Sequence, residues 1–228
     1  MTQHTNLNLV CRVCASKHPK SLMQSQGVFR CSACGSLSRI PFSVGLPFYR
    51  DTSYWWLEED WLRLYQKSFF VWFEHDIQDR ISLEIGAANG DFLKLVQDKI
   101  NHIAVYNDLM HLARSEYNFP VTILGESEQC DLWLKKQHGP INVFMIDVIE
   151  HLERPFGIFT HLPKGSSVFC VTADGDALNA HDEMFLHVEH SCIMTKTGLE
   201  LAGDVHGFTI QKYYRHPQGL SIFILEKS

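Results

Sequence analysis

The sequence predicts an α/β protein: a doubly wound, mostly parallel sheet ending in an antiparallel pair, preceded by a small four-cysteine module. Three observations predict it. Two C-x-x-C pairs stand close together near the N-terminus. From residue 79 onward, apolar runs of four to seven residues alternate with longer mixed segments. The last two apolar runs are joined by His216-Pro217-Gln218-Gly219, a hairpin signal.

The first element is Cys11-x-x-Cys14, sixteen residues, then Cys31-x-x-Cys34 with Gly35 next. Each pair sets two sulfurs on one tight turn, and two such turns close a tetrahedron around a metal. Four thiolates leave no open coordination position, so the expected ion is a structural Zn²⁺. The segment is too short to hold a sizeable core, so the metal supplies most of its folding energy. The residues Val28-Phe29-Arg30 read as a short strand of a zinc ribbon. Cys130, Cys170 and Cys192 are scattered, and an odd total of seven does not make a disulfide framework.

Charge is unevenly spread. Residues 1–50 contain no Asp or Glu but six cationic residues, namely Arg12, Lys17, Lys20, Arg30, Arg39 and Arg50. The rest of the chain is acidic, and the whole carries −6. A basic module on an acidic body fits a local contact with an anion rather than a broad nucleic-acid face. No apolar run is long enough to span a bilayer, and the N-terminus does not read as a signal peptide, so a cytoplasmic protein is expected.

An aromatic-rich stretch follows, from Phe48 to Phe73. It reads as one or two amphipathic helices that pack on the main body, with Tyr49, Tyr54 or Trp55 offered to a pocket. Strands are then expected at 81–85, 102–107, 121–124, 141–147 and 166–172, followed by the closing pair from Gly207 onward. Residues 91–99 and 153–162 read as helical. The resulting division is 1–47 ribbon, 48–78 helical linker or cap, and 79–228 main domain.

The most informative loop is Leu83-Glu84-Ile85-Gly86-Ala87-Ala88-Asn89-Gly90-Asp91. Its glycines let the backbone turn sharply and approach a ligand closely at the end of a strand. The second glycine of a dinucleotide fingerprint is missing, as is the Lys-Ser/Thr of a phosphate loop. Asp108 stands about twenty residues on, where an acidic group can bind both ribose hydroxyls of a nucleoside.

Together these residues resemble class I S-adenosylmethionine-dependent methyltransferases. The likeness extends to Met145-Ile146-Asp147-Val148-Ile149-Glu150-His151-Leu152-Glu153-Arg154-Pro155, similar to the D-V-L-E-H-x-x-D-P stretch of a large branch. Val188-Glu189-His190, Gly198-Leu199 and Gly207-Phe208 resemble the tail of that branch, of which several members, notably sugar methyltransferases, begin with a zinc-binding module. The resemblance implies a Rossmann-like seven-stranded sheet and a cofactor site built from Glu84, Gly86, Ala87, Asn89, Gly90, Asp108, Leu109, Glu126, Asp147 and Val148. Asn142 departs from the Asp usual at the fourth strand.

The implied reaction is O-methylation of a small molecule or sugar-containing intermediate. Transfer from a sulfonium is an in-line displacement, and a hydroxyl acceptor needs a base. His151 and His190 are the candidates, with His181 and His187 behind them. The place of an N-P-P-Y/F loop, as used for amino groups of bases, reads I-D-V-I-E-H. No cysteine is set as the nucleophile that pyrimidine C5 chemistry needs. Two alternatives remain open on sequence: an RNA methyltransferase whose ribbon binds RNA, and a non-catalytic interaction module on the same fold.

Overall fold

The computed structural model describes residues 10–17, 20–23, 27–39, 76–77, 79–87, 92, 96, 100, 103–106, 121–124, 127–177 and 190–228. Phe48 to Phe73, Asn89, Gly90, Asp108, Leu109, Glu126, His181 and His187 lie outside the described residues.

Among the described residues the main sheet runs β4 (Ser82–Ile85), β5 (Ile103–Tyr106), β6 (Val121–Leu124), β7 (Asn142–Ile146), β8 (Ser167–Ala173), β10 (Phe208–His216) and β11 (Leu220–Lys227). Their spatial order is β10-β11-β8-β7-β4-β5-β6. The five strands β4 to β8 are mutually parallel, while β11 lies antiparallel between β8 and β10. Every residue of β8 is buried, as is every residue of β4, which suits strands covered on both faces. The chain leaves β4 in one direction through β5 and β6, then crosses back to start β7 on the other side. The strand order therefore reverses between β4 and β7, and in sheets of this kind ligands bind outside the carboxyl ends at that point.

Residues 153–162, expected as a helix, form no α-helix; 3₁₀ turns occupy Ile149–His151 and Gly157–Thr160. Pro155 supplies no amide hydrogen, and Phe156 and Phe159, three residues apart, are both buried. A three-residue period puts both rings on one side of a 3₁₀ turn. The rings stack toward Phe208 at centroid distances of 5.3 and 4.6 Å. Cys130 lies in α1 (Ser127–Lys135) and Cys170 in β8. Burial raises both thiols, Cys130 to about 12, and makes them inert.

The N-terminal four-cysteine segment, the expected ribbon, forms a second sheet, β1 (Lys20–Met23), β2 (Val28–Arg30) and β3 (Leu37–Arg39), completed by β9 (Cys192–Ile193) from the main body. Leu37 pairs with Ile193 and Ser38 with Cys192. Helix α2 (Lys196–His206) starts where β9 ends, capped by the Thr195 hydroxyl, which accepts the Gly198 amide at 2.9 Å. Gly198 leaves no room for a side chain: a Cβ there would lie 2.2 Å from Ser36 Oγ and 3.0 Å from Val13. The ribbon cysteines and the main sheet belong to one continuous buried cluster.

Candidate functional site

The four sulfurs of Cys11, Cys14, Cys31 and Cys34 come together, all buried and all within 4.8 Å of one another. The Cys11–Cys34 separation is 3.8 Å and Cys14–Cys31 is 3.6 Å. Zinc–sulfur bonds of about 2.3 Å in a tetrahedron give sulfur–sulfur edges of about 3.8 Å, so this donor set fits a zinc ion. The two knuckles repeat one backbone pattern. Cys11 and Cys31 donate their amides to the carbonyls of Ser16 and Ser36, and Ala15 and Gly35 donate back to the carbonyls of Cys11 and Cys31. Ala15 and Gly35 both close their turns in the left-handed region, at φ 56° and 74°. Hydrogen bonding with Cys34 pulls the Cys11 thiol down, while the same contact and burial push Cys34 up.

A second site lies at the carboxyl edge of the main sheet, at the switch point. Gly86 leaves β4 at φ +70°, and a Cβ on it would lie 2.5 Å from a methyl of Val148, in the loop after β7. The two loops are in contact only because residue 86 has no side chain. Asp147 holds a left-handed φ of 57° and donates its amide to the Val171 carbonyl at 2.9 Å. Such a conformation in a residue other than glycine is uncommon and concentrates at functional sites. Glu84 points its carboxyl into the interior, 3% exposed, with Oε2 lacking a hydrogen-bond partner among the described residues. Burial pushes its pKa up to about 8. A ligand with a cationic group would give that carboxylate the partner it lacks. Ala87 is buried beside Gly86.

The loop after β7 also carries Glu150 and His151. Glu150 is fully buried; its Oε1 accepts the Ala173 amide at 3.4 Å. Burial first, then repulsion from Asp147, raises it to about 8. Asp147, Glu150 and His151 each bring a ligand-type atom within 4.8 Å of the others. His151 and His190, far apart in sequence, meet edge to face with ring centroids 4.8 Å apart. His190 is buried and His151 half-buried. The structure thus brings together Glu84, Gly86, Ala87, Asp147, Val148, His151 and His190 around one edge.

Sequence reasoning missed the residues that hold this edge to the ribbon. Ser191, fully buried, donates its amide to the Glu150 carbonyl at 2.7 Å and accepts the Arg39 amide at 2.9 Å. Arg12 donates to the Glu153 carbonyl at 2.8 Å and to the Arg39 carbonyl at 3.3 Å. Nothing in a two-residue strand such as β9 displays alternation, so no sequence signal marked it. Asp174, fully buried at the end of β8 and paired with Arg215, was also missed; only its place after a strand hinted at it.

No family model matches the chain, and no curated protein matches it in sequence. Solved structures do match in fold. The fold is that of S-adenosylmethionine-dependent methyltransferases. A SAM-dependent methyltransferase from Archaeoglobus fulgidus aligns at a TM-score of 0.58 and 14% identity, over 77% of this chain and 100% of that one. The Burkholderia thailandensis 1,6-didemethyltoxoflavin-N1-methyltransferase, solved with that compound and S-adenosylhomocysteine, aligns at 0.57 and 11%, over 92% and 99%. The N-methyltransferase NodS from Bradyrhizobium japonicum WM9, with S-adenosylhomocysteine, aligns at 0.55 and 11%, over 80% and 96%. Among the described residues no helix is long and apolar enough to cross a membrane.

Proposed function

We propose that the chain is an S-adenosylmethionine-dependent methyltransferase that O-methylates a small molecule or a sugar-containing intermediate. The observation that carries this reading is the meeting of Gly86 and Val148 at the switch point of a methyltransferase-like sheet, with the buried Glu84 carboxyl beside it. Glu84, Gly86, Ala87, Asp147 and Val148 would hold the cofactor, together with Asn89, Gly90, Asp108, Leu109 and Glu126. The four cysteines would hold a structural zinc ion. The division into ribbon 1–47, linker 48–78 and main domain 79–228 belongs to the same reading, as does a cytoplasmic location.

When bound, S-adenosylmethionine supplies an electrophilic methyl group on a sulfonium. The chain's own residues then have three tasks. Gly86 and Val148, which approach each other closely, would hold the cofactor at the carboxyl edge of the sheet. Asp147 would supply negative charge on the cofactor side, and Glu84 a buried carboxyl beside it. His151, backed by His190, would accept the proton of the acceptor hydroxyl. Contact between the two imidazoles lets His190 orient His151.

A small acceptor is favoured over RNA because two of the six cationic residues of 1–50 already serve backbone carbonyls. Arg12 is bonded to the carbonyls of Arg39 and Glu153, and Arg30 to that of Gly35. The test is formation of S-adenosylhomocysteine from S-adenosylmethionine against a panel of hydroxylated small molecules and sugars, with folded RNA as a further arm. Turnover on a hydroxyl compound, falling about a hundredfold in His151→Gln with cofactor affinity kept, is expected. Turnover on RNA alone, or unchanged turnover in the variant, would contradict the acceptor and the base respectively.

A further inference from the structure

The ribbon does not hang from the main body by a linker alone; it is sewn into the loop that carries His151. Ser191 is the knot. It follows His190 directly, and its carbonyl accepts the Arg39 amide of β3 at 2.9 Å. The next two residues extend that contact as β9. On its other side, the Ser191 amide donates to the Glu150 carbonyl at 2.7 Å. Its hydroxyl reaches the carbonyls of Glu150, at 3.0 Å, and Leu152, at 2.5 Å. These carbonyls flank His151 on both sides. One buried serine therefore joins the ribbon sheet, the segment of His190 and the loop of His151.

Two further ties run across the same seam. The Arg12 guanidinium, in the first knuckle, bonds the Glu153 carbonyl two residues past His151. Thr195, at the other end of β9, donates its hydroxyl to the Cys34 carbonyl and its amide to Ser36 Oγ at 3.2 Å. Both knuckles thus contact the segments on either side of the histidine pair.

We propose that Ser191 is a positioning residue of the methyl-transfer site, through which the four-cysteine ribbon fixes the mutual placement of His151 and His190. The inference rests on the reading of that edge as a methyltransferase site. It makes the ribbon part of the acceptor side and not a separate binding module. Metal loading then has a defined consequence. Ordered thiolate turns keep β3 in place, β3 keeps β9 and Ser191 in place, and Ser191 keeps the two carbonyls beside His151 in place.

The test uses the full zinc-loaded chain and three readouts: zinc content, calorimetric affinity for S-adenosylhomocysteine, and the imidazole ¹H–¹⁵N signals of His151 and His190, assigned with His→Gln variants. Ser191→Ala should keep one zinc per chain and cofactor affinity within about twofold. It should move both imidazole signals and speed amide exchange at residues 149–152 about tenfold, the loss of one buried hydrogen bond. Ser191→Thr, which keeps the hydroxyl, should restore the wild-type signals. Arg12→Gln probes the seam from the first knuckle and should move the His151 signal, so the idea stays testable if Ser191→Ala does not fold. Unmoved imidazole signals in a folded Ser191→Ala or Arg12→Gln chain would overturn the proposal. Absence of cofactor binding by the wild type would instead sink the methyltransferase reading, whatever the imidazoles do.

Discussion

The two halves of the site are held by different physics. On the proposed cofactor side, Glu84 and Gly86 extend from β4, a strand hydrogen-bonded on both flanks and buried throughout. On the proposed acceptor side, His190 and Ser191 precede β9, a two-residue strand whose ribbon partner is a three-residue strand next to the cysteines. The first half draws on apolar burial and a parallel register of four residue pairs on each flank. The second draws on a four-cysteine cluster and a few buried polar bonds. The contrast teaches that the cofactor half should outlast loss of the metal while the acceptor half should not.

The largest effect that could break this contrast comes from the metal. Structural zinc contributes on the order of 10 kcal/mol to a small module. Cys31→Ser should lose zinc and expose residues 10–39 and 190–195 to rapid amide exchange, yet keep affinity for S-adenosylhomocysteine within about threefold. Equal loss at both halves would show that they fold as one unit.

A middle-sized effect concerns Glu84. Its folded pKa is raised from 4.5 to about 8 by burial. The stability this neutral carboxyl provides is fully present below 4.5 and is lost as pH rises through about 8. Glu84→Gln should therefore match wild type in acid and be more stable above that range, by roughly 5 kcal/mol at most. Thermal unfolding of the cofactor-free chain across that window checks it. A wild-type curve with no fall in stability there would contradict the burial of Glu84. Glu150, also raised to about 8, keeps a second slope in both proteins.

The smallest effect sharpens the comparison inside the ribbon. Ala15 and Gly35 occupy equivalent left-handed positions in the two knuckles. An L-residue there costs about 1 kcal/mol. Ala15→Gly should raise the ribbon's thermal midpoint slightly, by up to about 1 kcal/mol of stability, and Gly35→Ala should lower it. No difference between the two would mean that the metal alone dictates both turns.

The same contrast explains what was legible in the sequence. The parallel strands stand out because both of their faces are apolar, so Val121–Leu124 falls at its expected residues and the neighbouring strands differ by a residue or so at their ends. The cysteine cluster was readable from spacing because each C-x-x-C encodes its own turn. His151 and His190 were readable as candidates, but not their contact, which joins residues 39 apart in sequence. The docking of the ribbon was hidden for a physical reason. It rests on backbone bonds of Ser191, on the missing side chain of Gly198 and on one arginine, none of which produces a periodic pattern. Residues 153–162 misled because buried phenylalanines three apart suit a 3₁₀ turn as well as an α-helix.

The edge around Gly86 is proposed to bind S-adenosylmethionine. Calorimetric titration of the zinc-loaded chain with S-adenosylmethionine and S-adenosylhomocysteine tests it most directly, with Gly86→Ala and Gly86→Ala/Val148→Ala alongside. The account predicts micromolar binding by wild type and a loss of about thirtyfold or more in Gly86→Ala, since its Cβ would sit 2.5 Å from a Val148 methyl. Part of that loss should return in the double variant, which relieves the clash but not the left-handed backbone. A folded wild-type chain that binds neither compound, or a Gly86→Ala chain that binds as well as wild type, would contradict it.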